Sequence, residues 1–441
     1  MKNNWIIALF ALISIGAQAQ DIPQQTLTLQ KAVEIALTNN YDIKVASNEL
    51  QKTKNKNTPG NAGLLPSLSI SAGTDYSNKA TELQFMGNDQ VLSIDGAESF
   101  SYNANVRLDY VLFDGLGNVY TYQKLKNADA RQETLSLLQS ENTIIQVTEA
   151  YYEVCRAQQN VSLADESMHI SRKRYQRALD QKIYGKATEL DVLNAEVDMN
   201  NDSTRILQTE QAYLQTLKNL NVVLGVSIQN NYDVDDSIEF RSDFTAEQVI
   251  ADALTNNTQL IAQEQMVDLT ALDLKITKSK KYPTVSAYGQ YAYGRQDNDA
   301  GQLLYNQSYG PAAGVSLRFN VFNGRQLHTQ EKNSLLDFES QQERSYQMAA
   351  NVERNASNAF TDYDYKRKIV DLQKRSLKQA QLNFEKTEEL FQIGRVTSIE
   401  FRTAQQNLLS VAANYNDSKF KAKVAEFYLL QLTGELLSDK D

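Results

Sequence analysis

Histidines, cysteines and paired carboxylates carry most enzymatic chemistry, and this chain uses them sparsely. Its only histidines, His169 and His328, and its only cysteine, Cys155, fall in helical patterns without metal-ligand spacing. No nucleophile motif, glycine-rich phosphate loop or Cys-x-x-Cys is present, and a lone cysteine excludes an internal disulfide framework. The acids that stand out are Asp191 and Glu400, each six residues beyond a glycine, Gly185 and Gly394. That offset is about one and two-thirds helical turns, close to a helix N-terminus where the dipole welcomes negative charge. These residues point to a non-enzyme without catalytic groups, cofactor or metal. A net charge of −10 without clustered Lys and Arg also argues against a nucleic-acid partner.

The elements that must position those acids occur twice. ALTNN spans Ala36 to Asn40 and again Ala253 to Asn257, and the same displacement carries Pro66 onto Pro283 and Ser69 onto Ser286. Further on, Phe113-Asp114-Gly115 recurs as Phe322-Asn323-Gly324, Gly185 as Gly394 and Gly225 as Gly434, at a slightly smaller displacement. The difference must lie between Pro66 and Phe113, where Ser77 to Ser99 is expected to hold an exposed loop. The division is therefore a secretory signal at 1–19, a first repeat at 20–243 and a second at 244–441. The signal shows Lys2, an apolar run from Trp5 to Ile15 and the cleavage-type Ala17-Gln18-Ala19. No later stretch is apolar for the ~18 residues a membrane helix needs, so strands would have to make any crossing.

Long helices dominate each repeat. Proline is absent from Asn118 to Ile183, and apolar residues recur every seven positions at Val147, Val154, Val161, Met168 and Tyr175. Ala356, Tyr363, Val370, Leu377, Phe384 and Phe391 repeat the series. Returning helices carry Val192, Met199, Ile206, Tyr213 and Leu220, then Phe401, Leu408, Tyr415, Ala422 and Leu429. Two antiparallel hairpins turning at Gly185 and Gly394 are expected. A helix from Asn118 to Ile183 runs about 100 Å, and its shorter partner, Ala187 to Leu224, would be extended by a helix over Thr28 to Lys56. Ala246 to Lys280 would do the same in the second half.

Between the helices the period falls to two. Tyr102, Ala104, Val106, Leu108, Tyr110 and Leu112 alternate with Asn103, Asn105, Arg107, Asp109 and Val111, and the copy alternates Val315, Leu317, Phe319 and Val321 with Ser316, Arg318 and Asn320. Shorter alternations follow Pro66 and Pro283. Four strands of about ten residues are long enough for a tilted bilayer crossing. Alternation also fits an ordinary sheet on a soluble core; export and strand-end tyrosines favour the membrane. Four strands cannot close a barrel, because the smallest use about eight. Copies of the chain would share one, with Arg107, Asp109 and Arg318 in its lumen.

Taken together, these residues resemble the outer membrane efflux protein family, the TolC-like exit ducts of tripartite pumps and type I secretion systems. The resemblance covers nearly the whole mature chain: the duplicated halves, ALTNN, Leu65-Pro66-Ser67-Leu68 and Tyr282-Pro283-Thr284-Val285, the Phe-x-Gly pairs and the hairpin glycines. It implies a mainly α, α+β homotrimer in outer membrane lipid, with a twelve-stranded barrel and a periplasmic helical tunnel. A periplasmic adaptor and an RND-type or ABC-type inner membrane pump would be its partners.

The resemblance also assigns roles to the turns. Asp191 and Glu400 fall at the family's periplasmic constriction, and three copies of Glu400 would form a cation-favouring ring. The second family acid, three residues later, is Thr403 here. The tyrosine and arginine of the family's closing links fall on Phe391 and Val396, while Asp191 keeps the aspartate, so Arg395 or Arg402 is expected to substitute. Gly185, Lys186, Gly394 and Arg395 would meet the adaptor. A diffusion porin and a non-conducting envelope-spanning coiled coil are the competing readings; the first fits poorly with a mostly helical chain, and the second leaves the strands unexplained.

Overall fold

The last asparagine of each ALTNN copy ends one helix and starts another. In the computed structural model, which describes residues 26–84, 86–87, 89–299 and 303–437, the Asn40 side chain accepts N–H bonds from Asp42 at 2.8 Å and Ile43 at 3.3 Å. The Asn257 side chain likewise accepts from Leu260 N–H at 3.1 Å. Asparagine at an N-cap satisfies donors that the first helical turn leaves orphaned. The single helices expected over Thr28–Lys56 and Ala246–Lys280 are therefore each two, split at the motif. The expected signal segment, 1–19, lies outside the described residues.

The chain order begins β1 (Thr26–Leu27), α1 (Leu29–Asn39), α2 (Tyr41–Lys56), β2 (Ser67–Gln84), β3 (Val91–Phe113), α3 (Gly117–Ile183) and α4 (Glu189–Leu224). It continues with β4 (Asp233–Val234), α5 (Ala246–Asn256), α6 (Thr258–Ser279), β5 (Thr284–Asn298), β6 (Tyr305–Arg318), α7 (Gln326–Gln392) and α8 (Ser398–Leu432). Helices α3 and α7 have 67 residues each, and each is followed by a return helix. The seven-residue series mark buried seams: Val147, Val154, Ala356, Ala422 and Leu429 are each fully enclosed.

By contacts, the described chain forms two compact units, each drawing on both halves. One comprises 26–36, 146–239 and 373–420, and the other 37–145, 240–372 and 421–437. In the first, β1 and β4 pair in parallel, and the Tyr151 hydroxyl lies 2.7 Å from both the Leu27 and Asp235 carbonyls. In the second, Val249, Ala253, Val352, Ala356, Ala425 and Leu429 form one apolar cluster.

The second unit also holds the four-stranded antiparallel sheet, ordered β2-β3-β5-β6. The strands are longer than the ten residues expected, at 18, 23, 15 and 14. The extra length of the first repeat is a strand extension, not the loop expected at Ser77 to Ser99. Pairing of β2 with β3 persists from Ser67↔Asp109 to Gln84↔Val91, whereas β5 follows β3 only as far as Ser99↔Asn298. At the other end β6 stops at Arg318, so Phe319 and Val321 fall outside the strand that their alternation suggested.

Each sheet hairpin passes into its long helix through a tight left-handed turn, Gly115-Leu116 at φ 71° and 69° and Gly324-Arg325 at 63° and 66°. Asp114 caps the first turn by accepting the Asn118 N–H at 2.7 Å. No helix among the described residues is long and apolar enough to cross a membrane.

Candidate functional site

Residues paired across antiparallel strands share a face, so register alone sorts the sheet. One face carries Ser69, Arg107, Gln290 and Ala312 in one row and Ser67, Asp109, Tyr288 and Gly314 in the next, with Arg318 opposite Thr284. Arg107, Asp109 and Arg318 therefore lie on the same face, and it is polar. Arg107 Nε donates to the Asp109 carboxylate at 2.9 Å, its Nη1 reaches Gln290 Oε1 at 3.1 Å, and its guanidinium lies 4.3 Å from the Tyr288 ring centre. Gly314 makes room for that ring, since a Cβ there would stand 2.8 Å from it. The opposite face carries Leu68, Ile70, Val106, Leu108, Tyr291, Val315 and Leu317, exposed to as much as 77 % at Ile70.

Both helical hairpins turn in the same way. Gly185 and Gly394 adopt φ 67° and 76°. Gly185 N–H bonds to Lys182 O and Lys186 N–H to Gln181 O, and Gly394 and Arg395 repeat the pattern onto Phe391 O and Leu390 O. These are Schellman turns, which need a left-handed residue at the glycine. Lys186 and Arg395 are exposed.

The two acids beyond the turns close capping boxes. Asp191 accepts Thr188 N–H at 2.8 Å and its hydroxyl at 2.7 Å, and the hydroxyl accepts Asp191 N–H. Glu400 accepts Thr397 N–H at 2.7 Å and its hydroxyl at 2.9 Å. Those bonds, the backbone one foremost, hold both carboxyls below their ordinary range. Thr403 is exposed, and its hydroxyl donates to the Ile399 carbonyl at 2.9 Å.

Of the residues expected to close the turns, Asp191 and Arg395 lie at them, Phe391 lies at the end of α7 just before the second, and Arg402 lies within α8. Arg402 points inward, bridging Asp202 on α4 and the Ser171 hydroxyl on α3. Arg174 on α3 pairs with Asp198 on α4, and Gln405 donates to Ser167 O at 3.2 Å. Phe391 stacks on Phe401 at 4.6 Å. Arg177 lies 4.9 Å from the Phe391 ring centre and donates to the carbonyls of Phe391 at 3.1 Å and Gln392 at 2.7 Å. Sequence reasoning missed Arg177, Arg174, Ser171, Asp198, Asp202 and Gln405, because it sought apolar seam positions.

Burial, more than any neighbour, pushes the Cys155 thiol up to about 12, so it stays protonated at neutral pH. His169 and His328 are exposed.

The family model for "Outer membrane efflux protein" matches residues 32–226 and 249–435, most of each repeat. The chain belongs to the outer membrane efflux protein family. Outer membrane efflux protein BepC of Brucella suis biovar 1 is 21 % identical over 349 residues, 76 % of this chain and 72 % of that protein. Proteases secretion protein PrtF of Dickeya chrysanthemi is 21 % identical over 78 % of this chain and 73 % of its own. The crystal structure of the Campylobacter jejuni CmeC outer membrane channel shares the fold, with TM-score 0.75 at 15 % identity, covering 99 % of this chain and 94 % of that one. This efflux-family chain is thus an outer membrane channel with a periplasmic helical tunnel, of the TolC-like kind that serves efflux and secretion. Neither a diffusion porin nor a non-conducting coiled coil is favoured by that membership.

Proposed function

We propose that three copies of this chain close one duct: twelve strands form the barrel, and the turns at Gly185 and Gly394 form its periplasmic entrance. The observation that carries this reading is the open sheet. Its polar and apolar faces are both exposed, and neither β2 nor β6 has a partner on its outer edge among the described residues. The eleven residues from Tyr102 to Leu112, tilted as barrel strands are, climb about 24 Å, close to the height of an outer membrane apolar band. Leu68, Ile70, Val106 and Val315 then face lipid, and Arg107, Asp109 and Arg318 face the lumen.

The duplication supplies a template for the seam. Ser67↔Asp109 in the first hairpin becomes Thr284↔Arg318 in the second by displacements of 217 and 209 residues. The same displacements carry Asp109↔Tyr288, the pair joining the repeats 20–243 and 244–441, onto Arg318 and Ser71 of the partner subunit. Val315 then pairs with Thr74 of the partner subunit. Cysteines at Val315 and Thr74 should cross-link copies, and a cysteine at Ser67 in place of Thr74 should not. Native mass spectrometry of the detergent-extracted oligomer should give three chains. Two chains, or cross-linking indifferent to register, would end this model.

At the entrance, three copies each of Asp191 and Glu400 set a ring of negative charge, with Thr403 one turn further in. Gly185, Lys186, Gly394 and Arg395 meet an adaptor that joins the duct to an RND-type or ABC-type pump. Tyr184 and Ile399, each 78 % exposed, flank these residues and suit an apolar contact. The chain conducts and performs no chemistry. Charge reversal at Lys186 and Arg395 should abolish pump-dependent export while leaving single-channel conductance intact; export that survives it would remove this docking surface.

A further inference from the structure

At the junction of sheet and helices lies a groove of ≈ 440 Å³ lined by Phe113, Leu116, Tyr120, Tyr282, Lys275 and Lys278. Its floor is set by close packing, since a Cβ on Gly115 would stand 2.5 Å from the Ser279 carbonyl. That fit fixes the turn that follows. Leu116 takes φ 69°, a conformation that side-chain-bearing residues rarely adopt, and leaves its apolar side chain half-exposed at the groove.

Charge is concentrated here against the balance of the molecule. The chain carries a net −10 overall, yet Lys275, Lys278, Lys280 and Lys281 fall within seven residues that include no acid. Nearby cations are already paired, Lys281 with Glu331 at 2.5 Å and Lys124 with Asp273 at 2.6 Å. Lys275 and Lys278 are exposed and make no ion pair within 4 Å among the described residues, Lys278 lying only in the wider field of the Glu331 that Lys281 already pairs. Lys275 lies 5.9 Å from the Tyr120 ring centre, at the groove wall. The second repeat places another cation at the equivalent turn, Arg325 at φ 66°.

Register fixes where the groove sits. Phe113 pairs with Val285, on the face that carries Ala287, Tyr291 and Val315, so the groove begins where the apolar face meets the helices. Aromatic rings beside lysines at such a boundary suit a headgroup region, with ammonium groups at phosphate level and rings beside the glycerol.

We propose that this groove binds an anionic glycerophospholipid of the inner leaflet of the outer membrane, its phosphate between Lys275 and Lys278 and its upper acyl chain against Phe113, Leu116 and Tyr282. The inference rests on the reading that the apolar sheet face meets lipid. A lysine held near an anionic lipid surface strengthens binding about fivefold, so the pair contributes about thirtyfold.

The test uses the full mature chain, extracted in detergent, delipidated and titrated with phosphatidylglycerol, phosphatidylcholine or inorganic phosphate, with native mass spectrometry counting bound lipid. Phosphatidylglycerol should bind in clear preference to phosphatidylcholine, and Lys275→Gln with Lys278→Gln should weaken it about thirtyfold. The exposed pair Lys374→Gln with Lys378→Gln should leave it unchanged. Equal binding of both lipids, an equal loss in the control pair, or displacement by millimolar inorganic phosphate would overturn the proposal. Planar-bilayer conductance of the same preparations separates the two levels: channels that conduct without lipid preference refute only the groove, while failure to insert refutes the lipid-facing sheet beneath it.

Discussion

Arg402 on α8 grips Asp202 on α4 with two hydrogen bonds, Nη1 to Oδ2 at 2.7 Å and Nη2 to Oδ1 at 2.9 Å. The side chains are only 13 % and 5 % exposed, and the same carboxylate accepts the Ser171 hydroxyl from α3. One acid therefore ties together helices from both hairpins. Burial alone would raise the Asp202 pKa, but the bonds from Arg402 and Ser171 outweigh it and hold it below the usual range. A depressed pKa contributes stability that is complete above the ordinary carboxylate value and lost only as pH falls through the lowered one. Asp202→Asn leaves the buried guanidinium only the looser ion pair with Asp198 at 3.8 Å and should cost about 3 kcal/mol. The double variant Asp202→Asn with Arg402→Gln should recover part of that loss, because no buried charge remains. Denaturant unfolding would show it, and a single variant as stable as the parent would mean the bridge is inert.

Arg177 is the second tie. It closes the end of α7 through two carbonyls and the face of Phe391, at the position where the family has a tyrosine and where Arg395 or Arg402 was expected to substitute. Lysine keeps the charge but not the planar fork. Arg177→Lys should therefore raise the resting conductance of the reconstituted channel, whereas Arg172→Lys, an exposed change one turn earlier, should not. Equal conductance in all three proteins would separate Arg177 from closure.

How far the sequence discloses this arrangement depends on what each residue does. Apolar seam positions such as Val154, Ala356 and Leu429 were legible because helical periodicity counts apolar side chains. The ties were not, because the seam turns polar while keeping its step: Ala157, Ala164 and Ser171 continue one series and Gln405 and Ala412 another, all buried. Following the step of seven regardless of polarity would have found Ser171 and Gln405, but not Arg174, Arg177 or Asp198, which stand off those series. Strand ends were misjudged for a different reason. Ser77, Asn78 and Lys79 are polar in succession and a register shift follows between Lys79 and Thr81, so the alternation that betrays a strand lapses there even though pairing continues to Gln84↔Val91. The capping boxes of Asp191 and Glu400 were not read, although they depend on Thr188 and Thr397, three residues earlier, a spacing the sequence does show.

The glycines separate two kinds of constraint. At Gly185 an added Cβ meets nothing within 4 Å, so Gly185→Ala should cost only the left-handed backbone penalty, about 1 kcal/mol, and oligomer yield should hold. At Gly115 the same φ range coincides with a Cβ position 2.5 Å from the Ser279 carbonyl and 2.8 Å from Tyr282 Cβ. Backbone cannot yield there, and Gly115→Ala should sharply reduce the oligomer extracted from membranes. Similar yields from the two variants would show that the turn at 115 is looser than its packing implies.

If the proposed entrance holds, the capping boxes set its charge state. Glu400 is held below its ordinary value of 4.5, first by the Thr397 N–H and then by its hydroxyl. In the proposed ring, Glu400 should therefore stay ionised from pH 8 to 5, and cation preference should be flat across that range. Preference should fall only as pH drops below 4.5, when protonation also removes the box's contribution to the α8 N-terminus. Thr397→Val deletes the hydroxyl bond and should move that midpoint upward, while Glu400→Gln should abolish the titration. Reversal potentials under a salt gradient, measured at each pH, give the midpoint directly. A parent midpoint at or above 4.5 would mean that like charges crowded in the assembled ring, and not the Thr397 box, govern the acid.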